Sequence, residues 1–325
     1  MGEFELISRY FHAPFANFPN VERLIETGIG DDCAVLAPLT GRLVISTDTC
    51  VSGSHFPADA SAEMVAARSL GSSVSDLAAM GAEPVGFTLA LTLPNINEAW
   101  LQAFGSQLHE SASAWRIPLI GGDTTKGPLT VTVTVFGRVQ DQCLYRHGAS
   151  PGEDVWVSGF LGDAAAALPL LERPRASLTP LERQLYQRYE SPQPRLKLGS
   201  KLRGIATAAI DVSDGLVADL MHICSASSCG ALIDEDAIPL SSALLATFSQ
   251  QDALSYALKG GDDYELCFTA PQSARNLIQS LSADVALSRI GILRRESGIA
   301  MRKHGEEVKL MSKGGYDHFK ENSVT

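Results

Sequence analysis

Carboxylate side chains in this sequence are concentrated in short segments rich in glycine, serine and threonine. Nine aspartates lie in six such segments, which read Gly-Ile-Gly-Asp-Asp at 28–32, Ser-Thr-Asp-Thr at 46–49, Ser-Asp-Leu-Ala at 75–78, Gly-Gly-Asp-Thr at 121–124, Asp-Val-Ser-Asp-Gly at 211–215 and Gly-Gly-Asp-Asp-Tyr at 260–264. Carboxylate and hydroxyl oxygens are the ligands that Mg²⁺ prefers, and backbone N–H groups in glycine-rich turns suit phosphate. These residue types predict an enzyme that binds a magnesium–nucleotide complex.

Each segment also has an ordinary structural explanation. Gly-Asp pairs are common in turns, and serine, threonine and aspartate often cap helices. Asp76 lies within a predicted helix, where such a residue usually faces solvent, although the following Leu-Ala-Ala-Met-Gly-Ala is small and apolar. Aspartates that converge repel one another unless cations are present. We predict from the motifs together that the segments meet in one pocket, and if they do, several Mg²⁺ ions must be present there.

The size and charge of the chain limit the classes of protein to consider. A chain of 325 residues exceeds the size of most single cores, so two domains are expected. The formal net charge of −11 argues against binding nucleic acid or an anionic membrane. No apolar run approaches the roughly 20 residues of a membrane span, and the first residues lack the pattern of a signal peptide. The six cysteines form no Cys-x-x-Cys pair, which favours a cytoplasmic location.

Motifs for several other chemistries are absent from the sequence. It has neither the Gly-x4-Gly-Lys-Ser/Thr of a P-loop nor a Gly-x-Gly-x-x-Gly after a strand. No Gly-x-Ser-x-Gly nucleophile elbow occurs, although a Ser–His–Asp triad stays possible on spacing alone. The seven histidines lack zinc-type spacing, and His55 stands in a loop where a lone histidine is usually just solvated.

Hydrophobic periodicity places the acidic segments on strands and helices. An apolar run at 43–46 predicts a strand that ends at Ser-Thr-Asp-Thr, and 117–123 predicts a strand that runs into a glycine turn. An apolar stripe predicts a helix over 61–80, with Asp76 on another face. Further elements of the first half are predicted as strands at 89–93 and 129–136 and a helix at 97–114.

The segment 147–154, which reads His-Gly-Ala-Ser-Pro-Gly-Glu-Asp, is the best candidate for a domain boundary. We therefore predict domains at 1–147 and 148–325. Residues 169–195 hold five prolines and five arginines, which indicates a surface helix framed by loops. Beyond the boundary, strands are predicted at 155–158, 206–212 and 265–269, and a helix is predicted at 216–225.

The ordered motifs resemble those of the thiamine-monophosphate kinases over nearly the whole chain. They are Gly-Ile-Gly-Asp-Asp-Cys-Ala, Ile-Ser-Thr-Asp-Thr, Ser-Asp-Leu-Ala-Ala-Met-Gly-Ala-Glu-Pro, Ile-Gly-Gly-Asp-Thr-Thr, Ile-Asp-Val-Ser-Asp-Gly-Leu, Gly-Gly-Asp-Asp-Tyr-Glu-Leu and Lys-Gly-Gly-Tyr-Asp-His-Phe. The segment around Asp76 alone suggests only the broader superfamily that includes aminoimidazole-ribonucleotide synthetase and selenophosphate synthetase. The last two motifs narrow the resemblance to the kinases.

The resemblance implies an α/β (α+β) fold class, the two-domain aminoimidazole-ribonucleotide synthetase-like fold, with mixed sheets and flanking helices. The N-terminal domain would bind Mg–nucleotide and form a homodimer, and the C-terminal domain would complete the nucleotide and substrate site. The implied activity is ATP-dependent phosphorylation of thiamine monophosphate to thiamine diphosphate, the final step of thiamine diphosphate biosynthesis. Several Mg²⁺ ions are the implied cofactors, with ATP as co-substrate and with neither nucleic acid nor membrane as a partner.

The resemblance also assigns roles to particular residues. The implied Mg²⁺ ligands are Asp32, Ser46, Thr47, Asp48, Asp76, Asp123, Asp211 and Asp214. ATP would contact Gly122, Asp123, Arg146 and Ser213, and the thiamine substrate would contact His55, Asp262 and Tyr316. The family usually has glutamate where this chain has Asp262, and the neighbouring Asp263 is a possible substitute for that contact.

The charge of the acceptor predicts the mechanism. A phosphate monoester has a second pKa of about 6, so it is mostly dianionic at neutral pH and needs no strong general base. We predict direct in-line transfer without a phosphorylated enzyme and without a covalent or general-base residue. Two other classes stay open: a superfamily enzyme that couples ATP to forming a ring or a phosphoryl–selenium bond, and a non-catalytic nucleotide sensor.

Overall fold

The computed structural model describes residues 2–16, 18–19 and 24–309. Tyr316 and the Gly-Tyr-Asp-His-Phe motif lie outside the described residues. The chain divides into two compact units, one made of residues 1–143 with 190–203 and the other of 144–189 with 204–325. The change at 143/144 is close to the sequence boundary predicted at 147/148, but 190–203 belongs to the first unit. A single boundary therefore does not describe how the chain is divided.

The first unit is built on a four-stranded sheet in the order β3-β6-β4-β5. Pairing is antiparallel except between β4 and β5, which are parallel. A separate antiparallel pair, β1 with β2, precedes this sheet. The strands of this unit are β1 (Ile25–Thr27), β2 (Val35–Leu36), β3 (Arg42–Val51), β4 (Glu83–Leu93), β5 (Leu119–Lys126) and β6 (Thr130–Val139).

One face of the four-stranded sheet is covered by helices. The alternating Thr-Val sequence of β6 buries Val131, Val133 and Val135 on this face, as the period of two predicts. The opposite face carries Ile45, which is 54% exposed. The helices of this unit are α1 (Glu3–Ile7), α2 (Ala13–Phe15), α3 (Ala62–Ala79), α4 (Glu98–Trp115) and α7 (Leu196–Leu202), and a π-helical turn spans Ser8–His12.

Helix α3 is the buried centre of the first unit, packed against β3, β6, α4 and α7. It begins where the Ser61 hydroxyl accepts the N–H of Met64 at 3.2 Å, a side-chain N-cap. Small residues bring its neighbours close: a Cβ on Gly199 of α7 would stand 2.0 Å from the Ala78 carbonyl oxygen. The predicted helix at 61–80 is therefore confirmed, and its surroundings leave little of it in water.

The second unit contains a seven-stranded sheet in the order β13-β12-β9-β11-β7-β10-β8. All of its pairings are antiparallel except β12 with β9. Its strands are β7 (Asp154–Ser158), β8 (Ala208–Asp211), β9 (Gly230–Asp234), β10 (Leu266–Ala270), β11 (Leu287–Arg294), β12 (Gly298–Lys303) and β13 (Glu306–Lys309). The remaining helices are α5 (Asp163–Ala167), α6 (Pro180–Glu190), α8 (Leu216–Ala226), α9 (Ser242–Thr247), α10 (Gln250–Lys259) and α11 (Arg275–Ser280).

The predicted strands and helices are present, with three differences that matter for the site. Strand β3 continues through Asp48 to Val51 instead of ending at Ser46. Strand β5 continues through Gly122 and Asp123, so these residues do not form a turn. Helix α6 in the arginine-rich segment buries Leu185 and Tyr189, so one of its faces is not a solvated surface. In each case pairing or packing with a distant segment decides the outcome.

Candidate active site

Two acidic side chains of the first unit come together between β3 and α3. Ser46 and Asp48 share the face of β3 that packs against α3, since alternate residues of a strand point the same way. The Ser46 hydroxyl donates a hydrogen bond to the carboxylate of Asp76 on the helix. The Ser73 hydroxyl, one turn earlier on α3, bonds the Asp48 carboxylate. Two of the predicted acidic segments therefore meet, although Asp48 lies in the middle of its strand.

The environment of this carboxylate pair suits a cation. Burial, followed by repulsion from Asp76, raises the pKa of Asp48 to about 6, and the Ser73 hydrogen bond opposes the rise. A bound divalent ion would reverse this repulsion and hold both groups ionised. Across residues 2–16, 18–19 and 24–309, however, no three His, Cys, Asp or Glu side chains are grouped closely enough to hold a metal. A metal ion at this pair would therefore need further ligands from other groups.

Thr47 is oriented away from this pair. Its side chain lies on the opposite face of β3, where its hydroxyl shares a hydrogen bond of 2.9 Å with the Thr134 hydroxyl. A similar bond joins Thr49 and Thr132 at 2.9 Å. The Thr47 hydroxyl therefore does not share a site with Asp48, and any metal contact would use its backbone carbonyl.

A second group of predicted residues lines one cleft of about 840 Å³ in the first unit. One wall is formed by the glycine-rich segment that includes Asp32, and the other includes Gly122 and Asp123 of β5. Both aspartates are exposed. At the turn itself, the Asp31 carboxylate accepts the backbone N–H of Asp32 at 2.8 Å. The structure therefore brings Asp32, Gly122 and Asp123 to the same opening.

Gly122 is required by the packing of the sheet. A Cβ at this position would stand 2.0 Å from the carbonyl oxygen of Leu89 on the neighbouring β4. Because no side chain fits there, strand pairing alone explains the glycine. The adjacent Gly121 leaves the backbone open toward the cleft, which it also lines.

His55 lies in the turn that follows β3. Its Nδ1 accepts the backbone N–H of Val51 at 3.1 Å, so the proton of the neutral ring lies on Nε2. Its carbonyl accepts a hydrogen bond of 3.2 Å from the Arg68 guanidinium of α3. The ring is half-buried. This loop histidine is therefore held in place by hydrogen bonds to β3 and α3.

In the second unit, the segments 211–215 and 260–264 are hydrogen bonded to each other. The N–H of Asp262 donates to the Ser213 carbonyl at 2.9 Å, and the N–H of Tyr264 donates to the Val212 carbonyl at 2.8 Å. They continue the antiparallel pairing of β8 with β10 beyond its regular part. Two further predicted motifs therefore form one acidic loop pair, which includes Asp211, a buried residue at the end of β8.

The backbone N–H groups before α8 are bound by a carboxylate of the helix itself. The Asp219 carboxylate accepts the N–H groups of Ser213 and Asp214, both at 3.0 Å. Asp219 is 2% exposed, and burial is the main reason that its pKa is raised to about 7. An internal carboxylate thus occupies the position that an anion would take.

Asp262 and Asp263 have opposite surroundings. Asp263 is 2% exposed, and its Oδ2 accepts the Gly162 N–H at 2.8 Å. It therefore faces the interior and cannot replace Asp262 in a substrate contact. Asp262 is half-buried and has a φ of 69°, a left-handed conformation that is uncommon for aspartate.

A buried polar network beneath this loop was not predicted. The Arg188 guanidinium pairs with the fully buried Glu265 carboxylate at 2.7 Å, and the Ser158 hydroxyl donates to the same carboxylate at 2.6 Å. Asp163 accepts the Ser241 hydroxyl at 2.7 Å nearby in the same unit. The sequence does give one indication of this network, because Glu265 directly precedes the apolar strand β10 and a buried charge needs a partner.

Arg146 is exposed in the segment that opens the second unit, and its carbonyl accepts the Ser227 hydroxyl at 3.3 Å. Ser213 and Asp214 are half-buried on the loop before α8. These positions give an exposed cation and two polar side chains in the second unit.

Among the residues that the structure describes, no helix has the length and apolar character of a membrane span.

Comparison with known proteins agrees with this architecture. Residues 30–139 match the family model for the N-terminal domain of AIR synthase related proteins. The mixed α/β units with flanking helices give the chain the aminoimidazole-ribonucleotide synthetase-like fold, which it shares with solved structures of this class. It is 44% identical to the thiamine-monophosphate kinase of Salmonella typhimurium over 329 residues, covering 98% of each chain. The chain belongs to the thiamine-monophosphate kinase family.

Two solved structures are similar over most of their length. The crystal structure of thiamine-monophosphate kinase from Stenotrophomonas maltophilia K279a is 44% identical, with a TM-score of 0.85 and coverage of 94% of this chain and 98% of that one. The structure of AaThiL complexed with AMPPCP and TMP is 29% identical, with a TM-score of 0.78 and coverage of 90% and 92%. The resemblance drawn from the motifs is therefore confirmed at the level of family and fold.

Proposed function

We propose that this protein transfers the γ-phosphoryl group of ATP to the phosphate of thiamine monophosphate, which gives thiamine diphosphate and ADP. This would be the final step of thiamine diphosphate biosynthesis. Membership of the family supports the choice of substrate, as does the similarity to a protein solved with AMPPCP and TMP. The observation that carries the proposal is the Asp48–Asp76 pair, because two carboxylates held together in a kinase fold call for the cations that accompany ATP.

Magnesium is the metal that fits this donor set of carboxylate and hydroxyl oxygens. When bound, Mg²⁺ neutralises charge on the phosphate oxygens of donor and acceptor. Asp48 and Asp76 would supply adjacent ligands, and the Ser46 hydroxyl orients the second of them. The proposed ligands are Asp32, Ser46, Thr47 through its carbonyl, Asp48, Asp76, Asp123, Asp211 and Asp214.

Residues of the chain itself would bind and orient the two anions. Arg146 would add positive charge at the phosphates of ATP, and Ser213 and Gly122 would contact the nucleotide. The acceptor phosphate is already a dianion above its second pKa of about 6. The reaction therefore needs alignment more than proton removal. We infer in-line transfer with no phosphorylated residue on the path.

Thiamine monophosphate would lie against His55, Asp262 and Tyr316. The carboxylate of Asp262 complements the fixed positive charge of a thiazolium ring, and His55 is held at the turn after β3 by the hydrogen bond to its Nδ1. The orientation of Asp263 supports Asp262 as the substrate contact, despite its arm being shorter than that of the usual glutamate.

We further propose that the protein is a cytoplasmic homodimer. The outer face of the four-stranded sheet carries Leu43 and Ile45, which are 48% and 54% exposed, beside the paired threonines of β3 and β6. An exposed face of this kind commonly marks an interface. The six cysteines are free thiols, as a reducing compartment favours.

One coupled assay tests the activity. ADP release is measured with ATP, Mg²⁺ and thiamine monophosphate, and each component is omitted in turn. The product is identified from its mass by mass spectrometry. Formation of thiamine diphosphate only in the complete mixture supports the proposal. ADP release with another acceptor and a cyclised or selenium-containing product would favour a different superfamily enzyme. Nucleotide binding without Mg²⁺-dependent ADP release would favour a sensor.

A further inference from the structure

The segment from Asp262 to Tyr264 has an uncommon backbone. Asp262 and Tyr264 both have positive φ values, 69° and 51°, although neither is glycine. Such residues persist only where surrounding contacts hold them, and they concentrate at ligand-binding sites. Asp262 and Tyr264 are therefore candidates for functional residues.

Asp263 holds the middle of the segment in the interior. Its carboxylate accepts the Gly162 N–H at 2.8 Å, and a side chain at Gly162 is excluded because a Cβ would lie 2.6 Å from the backbone nitrogen of Ala257. The flanking N–H groups of Asp262 and Tyr264 are paired with the loop before α8. The segment is thus fixed on both sides.

The two flanking side chains meet each other. The Tyr264 hydroxyl donates to Oδ1 of Asp262 at 3.0 Å, and both residues are half-buried. A hydrogen bond to a charged group is stronger than one between neutral groups. The phenol therefore limits the rotation of a carboxylate that would otherwise choose among several rotamers.

We propose that Tyr264 is a positioning residue for the acceptor substrate, which holds the Asp262 carboxylate toward the cationic ring of that substrate. This inference rests on the proposed function, because it takes Asp262 to be the substrate contact. It adds a residue that acts through Asp262 and not on the transferred phosphoryl group. The effect should consequently fall on the binding of the acceptor and not on that of ATP.

The test removes one oxygen atom. Tyr264→Phe keeps the ring and deletes the hydroxyl, so the fold should be retained, which circular dichroism and thermal unfolding will check. We expect the KM for thiamine monophosphate to rise about tenfold, the usual cost of a hydrogen bond to a charged group. The KM for ATP and kcat should stay within about twofold. Tyr256→Phe, a half-buried tyrosine of α10, is the matched control and should change neither constant.

A double variant separates positioning from general structural damage. If Tyr264 acts through Asp262, then Asp262→Gly, which suits the positive φ and removes the carboxylate, should have the same acceptor KM with and without Tyr264→Phe. Equal rises for both substrates, or additive effects in the double variant, would overturn the inference. An unchanged acceptor KM in a folded Tyr264→Phe enzyme would overturn it as well. Failure of the wild-type protein to make thiamine diphosphate would instead remove the proposed function, and this inference with it.

Discussion

The carboxylates of Asp48 and Asp76 repel each other across the contact between β3 and α3, with the Ser46 hydroxyl bonded to the second of them. The folded protein tolerates this pair because one of the two groups can stay protonated near pH 6. In a neutral solution without divalent cations, the same pair costs stability. The balance between proton and metal at this point can be measured directly.

Stability without metal should depend on the charge of Asp48. Burial, assisted by Asp76, raises the pKa of Asp48 from 3.8 to about 6. Between these two pH values the carboxyl group is protonated in the folded state and ionised in the unfolded state. The contribution of this group is therefore most favourable below pH 4 and is lost as the pH rises through 6. We expect Asp48→Asn to raise the free energy of unfolding by roughly 1–3 kcal/mol at pH 7.5 in EDTA and by little at pH 4.5. Urea unfolding at both values checks this, and equal effects at both would contradict it.

The same substitution should abolish most of the activity. Asp48→Asn or Asp76→Asn removes a proposed metal ligand while keeping the shape of the side chain. We expect kcat to fall at least about a hundredfold, as when a charge-stabilising group is lost from an active site. Asp141→Asn, in an exposed turn of the same unit, is the control. Near-normal turnover in both site variants would remove these residues from the metal site.

Added Mg²⁺ should stabilise the wild-type protein in a pH-dependent way. A ligand present at 100 times its dissociation constant adds about 2.7 kcal/mol. The gain should be largest near pH 8 and small below pH 5, where protons compete for the same oxygens. Thermal unfolding with and without Mg²⁺ measures it. An equal gain in Asp48→Asn with Asp76→Asn would show that the stabilising ion binds elsewhere.

Asp219 should matter for both the stability of its unit and nucleotide binding. Asp219→Ala leaves the N–H groups of Ser213 and Asp214 without their acceptor, and we expect a loss of about 1–3 kcal/mol. Asp219→Asn keeps an acceptor oxygen and should be milder. The KM for ATP should rise in the alanine variant because Ser213 is no longer held. Asp236→Ala, whose side chain is 64% exposed, is the control, and equal behaviour of all three variants would contradict the role.

The proposed dimer can be tested on the exposed face of the first sheet. A charge placed in an apolar interface is strongly unfavourable, so Ile45→Glu should shift the protein from dimer to monomer in sedimentation velocity. Leu277→Glu provides a matched control, since Leu277 is 51% exposed on α11 of the other unit. A dimer that withstands Ile45→Glu would place the interface on another surface.

Most helices and strands could be predicted from the sequence because the spacing of apolar residues within one segment is enough to specify them. The Thr-Val alternation of β6 and the apolar stripe of α3 each specify one buried face. Polar residues inside strands were harder to interpret. Asp48 looked like the end of β3 because a carboxylate on a buried sheet face is uncommon, and only the helix opposite, with Ser73, explains it.

The partners of the buried charges could not be predicted from the sequence, because they come from distant segments of the chain. Arg188 and Glu265 are far apart in the chain, and nothing in either segment points to the other. Asp219 reads as an ordinary helix residue, although it closes the loop that the motif 211–215 forms. The acidic motifs were found because they are compact, whereas the groups that hold them are contributed by other segments.

The return of residues 190–203 to the first unit has a consequence for dissecting the gene. A fragment that stops at residue 143 would lack α7, and the groove where Gly199 meets Ala78 would be left uncovered. The chain therefore cannot be cut at one point into two complete units, because a recombination with a single crossover near 143 would separate α3 from α7, which packs against it. Chimeric proteins made by recombination with related sequences should inherit residues 190–203 from the same source as α3.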